Sequence, residues 1–270
     1  MPLVICPTPI GNLEDVTLRA LRELDEAELV LCEDTRRTRV LLARHGVRAP
    51  LRSFHRHNEA RRAQEVLPRL ERGARIALAS DAGLPGINDP GARLVLAALE
   101  RDVPVTVLPG PSAVETALVA SGLVGERYTF LGYLPRGNAE LRRLWDELRG
   151  WAWPAVAFES PKRLPASLAS LAAADPQRPV AVCRELTKRF EEVVRGPADD
   201  VAARFRDAPR GEVTLVIGPG RGDQGSEAAL DGAAAAVGEL VAGGTPRRSA
   251  VDVVARLTGV PKKRLYDRSL

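Results

Sequence analysis

Three short loops rich in glycine and proline each follow an apolar run that predicts a β-strand. They span residues 7–12, 81–91 and 109–113, after runs at 3–6, 76–80 and 103–108. Glycine lets a backbone approach a ligand closely, and proline fixes the angle φ so that a loop loses little entropy on binding. These loops therefore suit the flat, uncharged part of a small ligand such as an adenosine.

The second loop contains two aspartates, Asp81 and Asp89, whose sequence neighbours predict different roles for them. Asp89 precedes Pro90, so we predict first that it caps the next helix and only second that it contacts a ligand. Ser160 before Pro161 predicts a cap of the same kind. Asp81 directly follows a strand and precedes a glycine, where no helix is predicted to start, so we expect it to contact a ligand.

Several enzyme classes are disfavoured because their motifs are missing. The sequence has no G-x-x-x-x-G-K-[ST] phosphate loop and no G-x-S-x-G nucleophile elbow. Its three cysteines are scattered, without C-x-x-C spacing. His55 and His57 lie two residues apart in a loop before a helix that Asn58 is predicted to cap, which favours a polar surface loop over a metal site. We therefore expect no metal centre.

Short β-branched runs alternate with helical patterns along most of the chain. The predicted strands are 3–6, 29–32, 76–80, 103–108, 129–134, 155–159, 180–184 and 213–217. The predicted helices are 15–24, 36–45, 58–71, 90–101, 111–121, 139–148, 161–173 and 199–206. Such alternation predicts crossover connections and an α/β fold, in which ligands bind beyond the carboxyl ends of the strands.

Glycine-bearing stretches divide the chain into predicted segments. We expect an N-terminal α/β domain at 1–121, a second α/β domain at 122–218, a linker at 219–232 and a C-terminal basic helical element at 233–270. In the last segment Ser249 is predicted to cap a helix, and Gly259 to turn the chain into a second one. This outline resembles a helix-turn-helix. Its apolar positions are Val251, Val254 and Leu257.

Basic charge is concentrated at the C-terminus. The whole chain has 39 basic and 35 acidic residues, a net charge of +4. Residues 243–270 hold seven basic and two acidic residues, a net +5, which leaves −1 for the rest. This tail is predicted to contact a polyanion, or alternatively to dock through its apolar positions as a stabilising cap. No apolar run is long enough to span a membrane, no export signal is visible, and the scattered cysteines favour a cytoplasmic protein.

Read together, the loops resemble a known family. The shared blocks are P-I-G-N at 9–12, E-D-T-R at 33–36, H-N-E at 57–59, D-A-G at 81–83, D-P-G at 89–91, P-G-P-S-A at 109–113, E-S-P at 159–161, R-E-L-T-K at 184–188 and G-E at 211–212. In order and spacing they resemble the RNA-directed branch of the tetrapyrrole methylase superfamily, the small-subunit ribosomal RNA methyltransferases, over essentially residues 1–270. The resemblance implies two α/β domains of the tetrapyrrole methylase type with a donor cleft between them, and a homodimer. It also implies S-adenosylmethionine as methyl donor and, as acceptor, a cytidine 2′-hydroxyl in the decoding region of small-subunit (16S) ribosomal RNA.

The resemblance also implies which residues bind the methyl donor. They are Ile10, Gly11, Asp81, Ala82, Gly83, Ser112, Ala113, Phe158 and Glu159. Two positions depart from the family pattern: Leu84 stands where threonine is usual, and Lys162 where histidine is usual. Leu84 removes any role for a hydroxyl at its position, whereas a backbone contact there is unaffected.

Clustered cations are the predicted contacts to the RNA phosphates. They are Arg36, Arg37, Lys162, Arg163, Lys188 and Arg189. The E-D-T-R and R-E-L-T-K blocks mix carboxylates with cations, so an intramolecular set of salt bridges is an equally good interpretation.

A ribose hydroxyl becomes a better nucleophile when a nearby base takes its proton. Groups at or near loop ends that could do so are Glu33, Asp34, Asp81, Glu159, Glu185 and Lys188, and the sequence selects none of them. Two other functions stay open: methylation of a porphyrin-like macrocycle, and ribosome or nucleic-acid binding without catalysis. The sequence also leaves open whether the acceptor is free RNA or an assembled small ribosomal subunit.

Overall fold

A computed structural model of the chain describes residues 2–220 and 227–270. Contacts within it define two compact units. The first contains Met1–Gly122, Val182–Val193 and Gly211–Thr214, and the second contains Leu123–Ala181, Val194–Arg210 and Leu215–Leu270. Both units are built from strands and helices, and three further helices follow at the C-terminus. The predicted fold class, two α/β domains with a C-terminal helical element, is therefore confirmed.

The first unit contains a five-stranded sheet in the order β3-β2-β4-β1-β5. Its strands are β1 (Leu3–Cys6), β2 (Leu29–Cys32), β3 (Leu51–Ser53), β4 (Ile76–Ala79) and β5 (Val105–Val107), and each neighbouring pair is parallel. Its helices are α1 (Leu18–Asp25), α2 (Thr35–Arg44), α3 (Glu59–Glu71), α4 (Ala92–Leu99) and α5 (Ala113–Ser121).

The central strands of this sheet are buried on both faces. Every residue of β1, β2 and β4 is buried, and their side chains enter two separate apolar clusters. This explains why these strands are continuous apolar runs rather than alternating ones. Cys6 and Cys32 are both in register with Ala79. The loops after β1, β2 and β4 therefore start side by side at one edge of the sheet.

The second sheet has the order β6-β7-β10-β8-β9. Its strands are β6 (Thr129–Tyr133), β7 (Ala155–Glu159), β8 (Pro179–Arg184), β9 (Glu192–Pro197) and β10 (Val213–Ile217), and its helices are α6 (Asn138–Arg149), α7 (Leu164–Ala174) and α8 (Ala198–Arg204). All eight predicted strands are present. The two that the sequence did not predict, β3 and β9, are edge strands that lack a continuous apolar run.

Both predicted proline caps are wrong. Helix α4 begins at Ala92, and its N-cap is Gly91 rather than Asp89. Helix α7 begins at Leu164 with no side-chain cap, because a turn comes first in which the Ser160 carbonyl accepts the N–H groups of Arg163 and Leu164. In each case proline starts a turn that precedes the helix rather than the helix itself.

The C-terminal helices are α9 (Glu227–Ala242), α10 (Arg247–Thr258) and α11 (Lys262–Arg268). They share a core of their own, formed by Leu230, Ala233, Val237, Ala250, Val251, Val254, Val260 and Leu265. Of the predicted linker 219–232, residues 227–232 are helical because alanine and leucine, which favour helices, outweigh one glycine. Residues 221–226 lie outside the described part of the chain.

The predicted turn between the last two helices is confirmed, whereas the predicted cap is not. Gly259 has φ of +72° and ends α10 in the left-handed conformation. Helix α10 begins at Arg247 after Pro246, so Ser249 lies inside it. Leu257 is 78% exposed and does not join the buried face. Among the described residues, no helix has the length and apolar character needed to cross a membrane.

Candidate active site

The loops that follow β1 and β4 are joined by hydrogen bonds. Thr8 and Gly83 exchange two backbone hydrogen bonds of 3.0 and 2.9 Å. The buried Thr8 hydroxyl donates to the Ser80 carbonyl at 3.0 Å, and the Ser80 hydroxyl donates to the Gly83 carbonyl at 2.5 Å. Gly83 has φ of +76°, which glycine adopts at little cost. The D-A-G block is therefore held rigidly against the first loop.

The third predicted loop meets the other two in the first unit. A Cβ atom at Gly110 would lie 2.7 Å from Cβ of Pro7, so only glycine allows this approach. A Cβ atom at Gly83 would lie 3.7 Å from both the Pro111 carbonyl oxygen and Cγ2 of Ile10. Ser112 and Ala113 follow directly as the N-cap and first residue of α5, and the Ser112 hydroxyl donates to Glu115.

A fourth segment, the R-E-L-T-K block at 184–188, packs on the first loop at Gly11. A Cβ atom at Gly11 would lie 2.5 Å from Cγ of Lys188 and 2.7 Å from the Leu186 carbonyl oxygen and Oγ1 of Thr187. The Asn12 N–H donates to Oγ1 of Thr187 at 3.1 Å. Glycine is therefore required at residue 11 by space.

This segment contains two non-glycine residues in the left-handed region. Glu185 has φ of 52° and Thr187 has φ of 65°, and a β-branched residue there is strained by about 1 to 3 kcal/mol. Hydrogen bonds hold the strained backbone in place. Oε1 of Glu185 accepts the Glu212 N–H at 3.0 Å, and Oε2 of Glu191 accepts the Thr187 N–H at 2.6 Å.

Lys188 forms ion pairs with two carboxylates at this point. Its Nζ lies 2.8 Å from Glu185 and 3.1 Å from Glu212. Burial lowers the pKa of Lys188, but the hydrogen bonds to both carboxylates outweigh this effect, and the net pKa is raised. The same bond to Lys188 lowers the pKa of Glu185. Lys188 therefore stays protonated and Glu185 ionised at neutral pH, which makes both poor proton acceptors.

Asp81 has a structural role that the sequence did not reveal. Its Oδ1 accepts the Asp34 N–H at 2.9 Å, and its Oδ2 lies 3.8 Å from Arg37. It thereby ties the loop after β4 to the start of α2. Asp34 in turn caps α2 by accepting the Arg36 N–H at 2.9 Å, and its bond to the Arg36 guanidinium holds the pKa of Asp34 well below its usual range.

Asp89 lies in a different electrostatic environment. Burial raises the pKa of Asp89 to about 6, and the negative charges of Glu33 and Asp81 add to this effect. The helix that Asp89 is predicted to cap is stabilised instead by Glu59 of the H-N-E block. The buried Glu59 accepts the Gly91 N–H at 3.0 Å through Oε1.

These elements enclose a cavity of about 320 Å³ in the first unit. Its lining residues are Thr8, Pro9, Ile10, Gly11, Leu13, Arg37, Thr38, Val40, Leu41, Ser80, Asp81, Ala82, Lys188 and Glu212. The volume lies within the range of small-molecule sites. The sequence did not predict the wall formed by α2. The available sequence signal is the apolar Val40 next to Leu41 in the arginine-rich α2, and the structure shows Val40 to be 60% exposed at the cavity.

The predicted donor residues of β7 lie in the second unit. Phe158 packs edge-on against Phe130 and Tyr133, with ring centroids 5.0 and 5.5 Å apart. Glu159 is buried, and its Oε2 and Oε1 accept the Ser167 hydroxyl at 2.5 Å and the Ser160 N–H at 2.7 Å. The Glu159 carboxylate therefore serves the packing of α7.

The predicted RNA-contacting cations have different surroundings. Arg163 donates to the carbonyls of Leu134 and Pro135 and lies 3.3 Å from Glu159, so it is engaged within the second unit. The side chains of Arg36 and Arg37 are 85% and 64% exposed. Lys162 is exposed, and the guanidinium of Arg189 lies 5.5 Å from the ring centroid of Phe190.

The histidine loop contributes to the fold. Asn58 is the N-cap residue of α3 but forms no cap hydrogen bond. Its side chain accepts the His55 N–H at 2.8 Å and donates to the Ser53 carbonyl at 3.2 Å. The rings of His55 and His57 are 5.9 Å apart. Within residues 2–220 and 227–270, no three histidine, cysteine or acidic side chains are grouped so that they could hold a metal ion.

Comparisons with known proteins agree with this architecture. Residues 2–202 match the family model described as Tetrapyrrole (Corrin/Porphyrin) Methylases. The chain is 42% identical to "Ribosomal RNA small subunit methyltransferase I" of Micromonospora olivasterospora, over 98% of this chain and 85% of the relative. It is 43% identical to the protein of the same name from Thermotoga maritima, over 80% of this chain and 97% of the relative.

Solved structures share the fold at lower identity. A diphthine synthase superposes with a TM-score of 0.61 at 14% identity, covering 80% of this chain and 89% of that one. A uroporphyrin-III C-methyl transferase from Thermus thermophilus, solved with S-adenyl homocysteine, gives 0.55 at 21% identity, covering 80% and 96%. At these identities the likeness concerns the fold alone.

Proposed function

We propose that this chain, which belongs to the tetrapyrrole methylase family and within it to the ribosomal RNA small subunit methyltransferase I group, methylates small-subunit ribosomal RNA with S-adenosylmethionine. The acceptor we propose is the 2′-hydroxyl of a cytidine in the decoding region. The observation that carries the proposal is the cavity of the first unit. The loops after β1 and β4, which the family resemblance assigns to the donor, line this cavity together with α2 and the R-E-L-T-K segment.

The residues of this cavity fit a nucleoside-containing donor. Ile10, Gly11, Asp81 and Ala82 line it, and the hydrogen bonds of Thr8 to the loop after β4 fix its backbone before any ligand arrives. S-adenosylmethionine, when bound, supplies a methyl group on a sulfonium whose positive charge disappears during transfer. The main task of the chain is then to align donor and acceptor, for which rigid loops are suited.

The carboxylates near these loops differ in how readily they accept a proton. Asp34 and Glu185 are stabilised as anions by Arg36 and Lys188, and their pKa values are lowered, which makes them weak bases. Burial raises the pKa of Asp89 to about 6, close to the pH at which a general base is most effective. Asp89 does not line the cavity, however, so we assign proton acceptance to no residue.

The remaining parts of the proposal concern partners and place. Arg37 lines the cavity, and Arg36 precedes it in α2. Each pairs with an aspartate but is largely exposed, and we propose that both also contact RNA phosphates. The basic C-terminal helices add sequence-independent affinity for the small ribosomal subunit or its RNA. We propose that the enzyme acts as a homodimer in the cytoplasm, and that Asp81 contacts the donor from the loop after β4.

Two assays on the full chain test the function. Calorimetry measures S-adenosylmethionine binding, and transfer of labelled methyl groups is measured with purified small subunits, free 16S RNA and a porphyrinogen. We expect donor binding and incorporation into a ribosomal substrate at a ribose that resists alkaline cleavage. Incorporation into the porphyrinogen alone, or donor binding without incorporation into either RNA substrate, would contradict the proposal.

An Asp81→Ala variant tests the site. Removing a charge-assisted hydrogen bond costs about 1.5 to 3 kcal/mol, so we expect donor affinity to fall by roughly 10-fold to 150-fold. The control is Asp146→Ala, which removes the same charge from an exposed ion pair with Arg149 in α6. Equal donor affinity in the two variants would show that Asp81 does not contribute to the donor site.

A further inference from the structure

Helix α2 separates two concave surfaces of the first unit. Arg37, Thr38 and Leu41 line the cavity described above. Arg39 and Leu42, on another side of the same helix, line a groove of about 710 Å³ whose other wall is residues 46–51. We call this second surface the α2 groove. At 3.6 residues per turn Arg37, Leu41 and Thr38 fall within about 100° of one another around the helix axis, and Leu42 and Arg39 follow at about 140° and 200°, so the two sets lie on adjoining faces.

The α2 groove is basic at its rim and apolar at its base. Arg39 and Arg48 are its charged lining residues, and no carboxylate lines it. Leu42 is buried in the core, and Val47 and Ala49 pack partly buried against the same cluster. A groove of this composition suits a polymeric ligand that carries negative charges on one side and flat or apolar groups on the other.

The side chains of these two arginines, unlike those of their neighbours, form no ion pair with a described carboxylate, although Oδ1 of Asp25 accepts the backbone N–H of Arg48 at 3.4 Å. Arg44 and Arg52 flank them and pair with Glu14 at 3.3 Å and Glu65 at 3.5 Å. Arg39 and Arg48 are exposed, and within the described ranges neither side chain forms an ion pair. The sequence of α2 contains four arginines and no acid. Its positive charge is therefore only partly neutralised by the protein itself.

We propose that the α2 groove binds single-stranded RNA next to the acceptor nucleotide, with Arg39 and Arg48 contacting its phosphates. The inference rests on the proposed function, because it takes the cavity across α2 as the place of methyl transfer. An α-helix with its side chains is about 10 Å wide. A strand whose acceptor nucleotide enters the cavity therefore reaches the groove by crossing one helix, where Arg37 is exposed.

The test is the salt dependence of RNA binding by the full-length double variant Arg39→Gln, Arg48→Gln. For single strands each phosphate contact contributes about 0.7 to the slope of log affinity against log salt, so losing two should reduce the slope by about 1.4. At 0.1 M salt this corresponds to roughly 25-fold weaker binding. The probes are purified small subunits and an oligocytidylate. We expect a higher KM for subunits, with kcat and S-adenosylmethionine affinity unchanged.

The matched control is Arg72→Gln, Arg93→Gln. Both residues are exposed in the same unit, neither lines the cavity or the groove, and the change in net charge is equal. A second variant with lysine at 39 and 48 keeps the charge and should restore the salt slope. An unchanged slope in the glutamine variant, or an equal decrease in the control, would overturn the proposal.

These outcomes separate the groove from the proposed function. If the wild-type chain methylates small subunits while the glutamine variant keeps its salt slope, the groove assignment alone is wrong. If the wild-type chain binds S-adenosylmethionine but methylates no ribosomal substrate, the proposed function is wrong.

Discussion

Gly11→Ala is the smallest change that tests how the loop after β1, which we propose to bind the donor, is held. Adding one methyl group at residue 11 leaves the charge unchanged, and Gly11 does not have a positive φ, so backbone strain does not enter. The new Cβ would lie 2.5 Å from Cγ of Lys188 and 2.7 Å from both the Leu186 carbonyl oxygen and Oγ1 of Thr187. Ordinary contacts begin near 3.4 Å. The two segments must therefore separate by about 0.7 to 0.9 Å.

The cost of this separation follows from the contacts. The side chains of Lys188 and Thr187 can rotate, but the Leu186 carbonyl belongs to the backbone of a buried residue. The segment must retract as a whole, and the hydrogen bond from Asn12 to Thr187 is lost. Overpacking of this kind costs about 1 to 3 kcal/mol, and the lost hydrogen bond about 0.5 to 1.5 kcal/mol. If about 1.4 kcal/mol of this cost falls on the donor-bound state, affinity for S-adenosylmethionine falls about tenfold.

Calorimetric titration with S-adenosylmethionine and a thermal melt check this prediction together. We expect weaker binding and a melting temperature a few degrees lower. Gly150→Ala is the control, because Gly150 has φ of −85° and a Cβ atom added there would meet nothing within 4 Å. Adding Lys188→Ala removes the nearest contact and should restore part of the loss. Wild-type affinity and melting temperature in Gly11→Ala would refute the steric argument.

Two further predictions concern acidity and the C-terminus. Because burial raises the pKa of Asp89 to about 6, its charged form destabilises the fold, and this penalty is absent below about pH 4 and complete above pH 6. Asp89→Asn should therefore raise the free energy of unfolding by about 1 to 2 kcal/mol at pH 8, after discounting for solvent screening, and leave it unchanged at pH 3.5. Thermal melts at the two pH values check this, and equal stability of the variant and the wild type at pH 8 would contradict it. A chain ending at Gly220 should keep its affinity for S-adenosylmethionine and its melting temperature, because α9, α10 and α11 share a separate core. It should bind small subunits more weakly, and that binding should depend less steeply on salt concentration. A lower melting temperature would instead favour the alternative that the C-terminal helices are a stabilising cap.

The sequence predicts the fold well where burial dominates. The bounds of β1 and β2 are predicted to the residue, because both are continuous apolar runs buried on two faces. Edge strands leave a weaker signal. The three residues of β3 are only partly buried, and their pattern does not distinguish a strand from a loop. The glycines near the start of α9 suggest a linker, although tertiary packing of Val237 and its neighbours stabilises a helix there.

The candidate site is predictable where glycine and proline mark it and unpredictable where long-range hydrogen bonds build it. The loops with Gly11 and Gly83 stand out from composition alone. The bond between Asp81 and the Asp34 N–H joins residues 47 positions apart, and no spacing rule reveals it. In the same way, the carboxylate that holds the start of α4 comes from Glu59, 32 positions before Gly91. Local rules assign that task to the adjacent aspartate, and the distant side chain performs it.

Gly11 and Thr187 show how the two sides of the cavity divide their roles. Glycine at 187 would relieve the backbone strain of φ 65°, yet it would remove the hydroxyl that accepts the Asn12 N–H. Threonine at 11 would fit the backbone but collide with the segment opposite. Thr187, whose backbone is strained, therefore lies on the supporting segment, and Gly11, which has no side chain, lies on the loop that lines the cavity. The hydrogen bonds accepted by the carboxylates of Glu185 and Glu191 stabilise the strained backbone of the supporting segment. The loop after β1 is therefore fixed in position before any ligand binds, which lowers the entropic cost of aligning donor and acceptor.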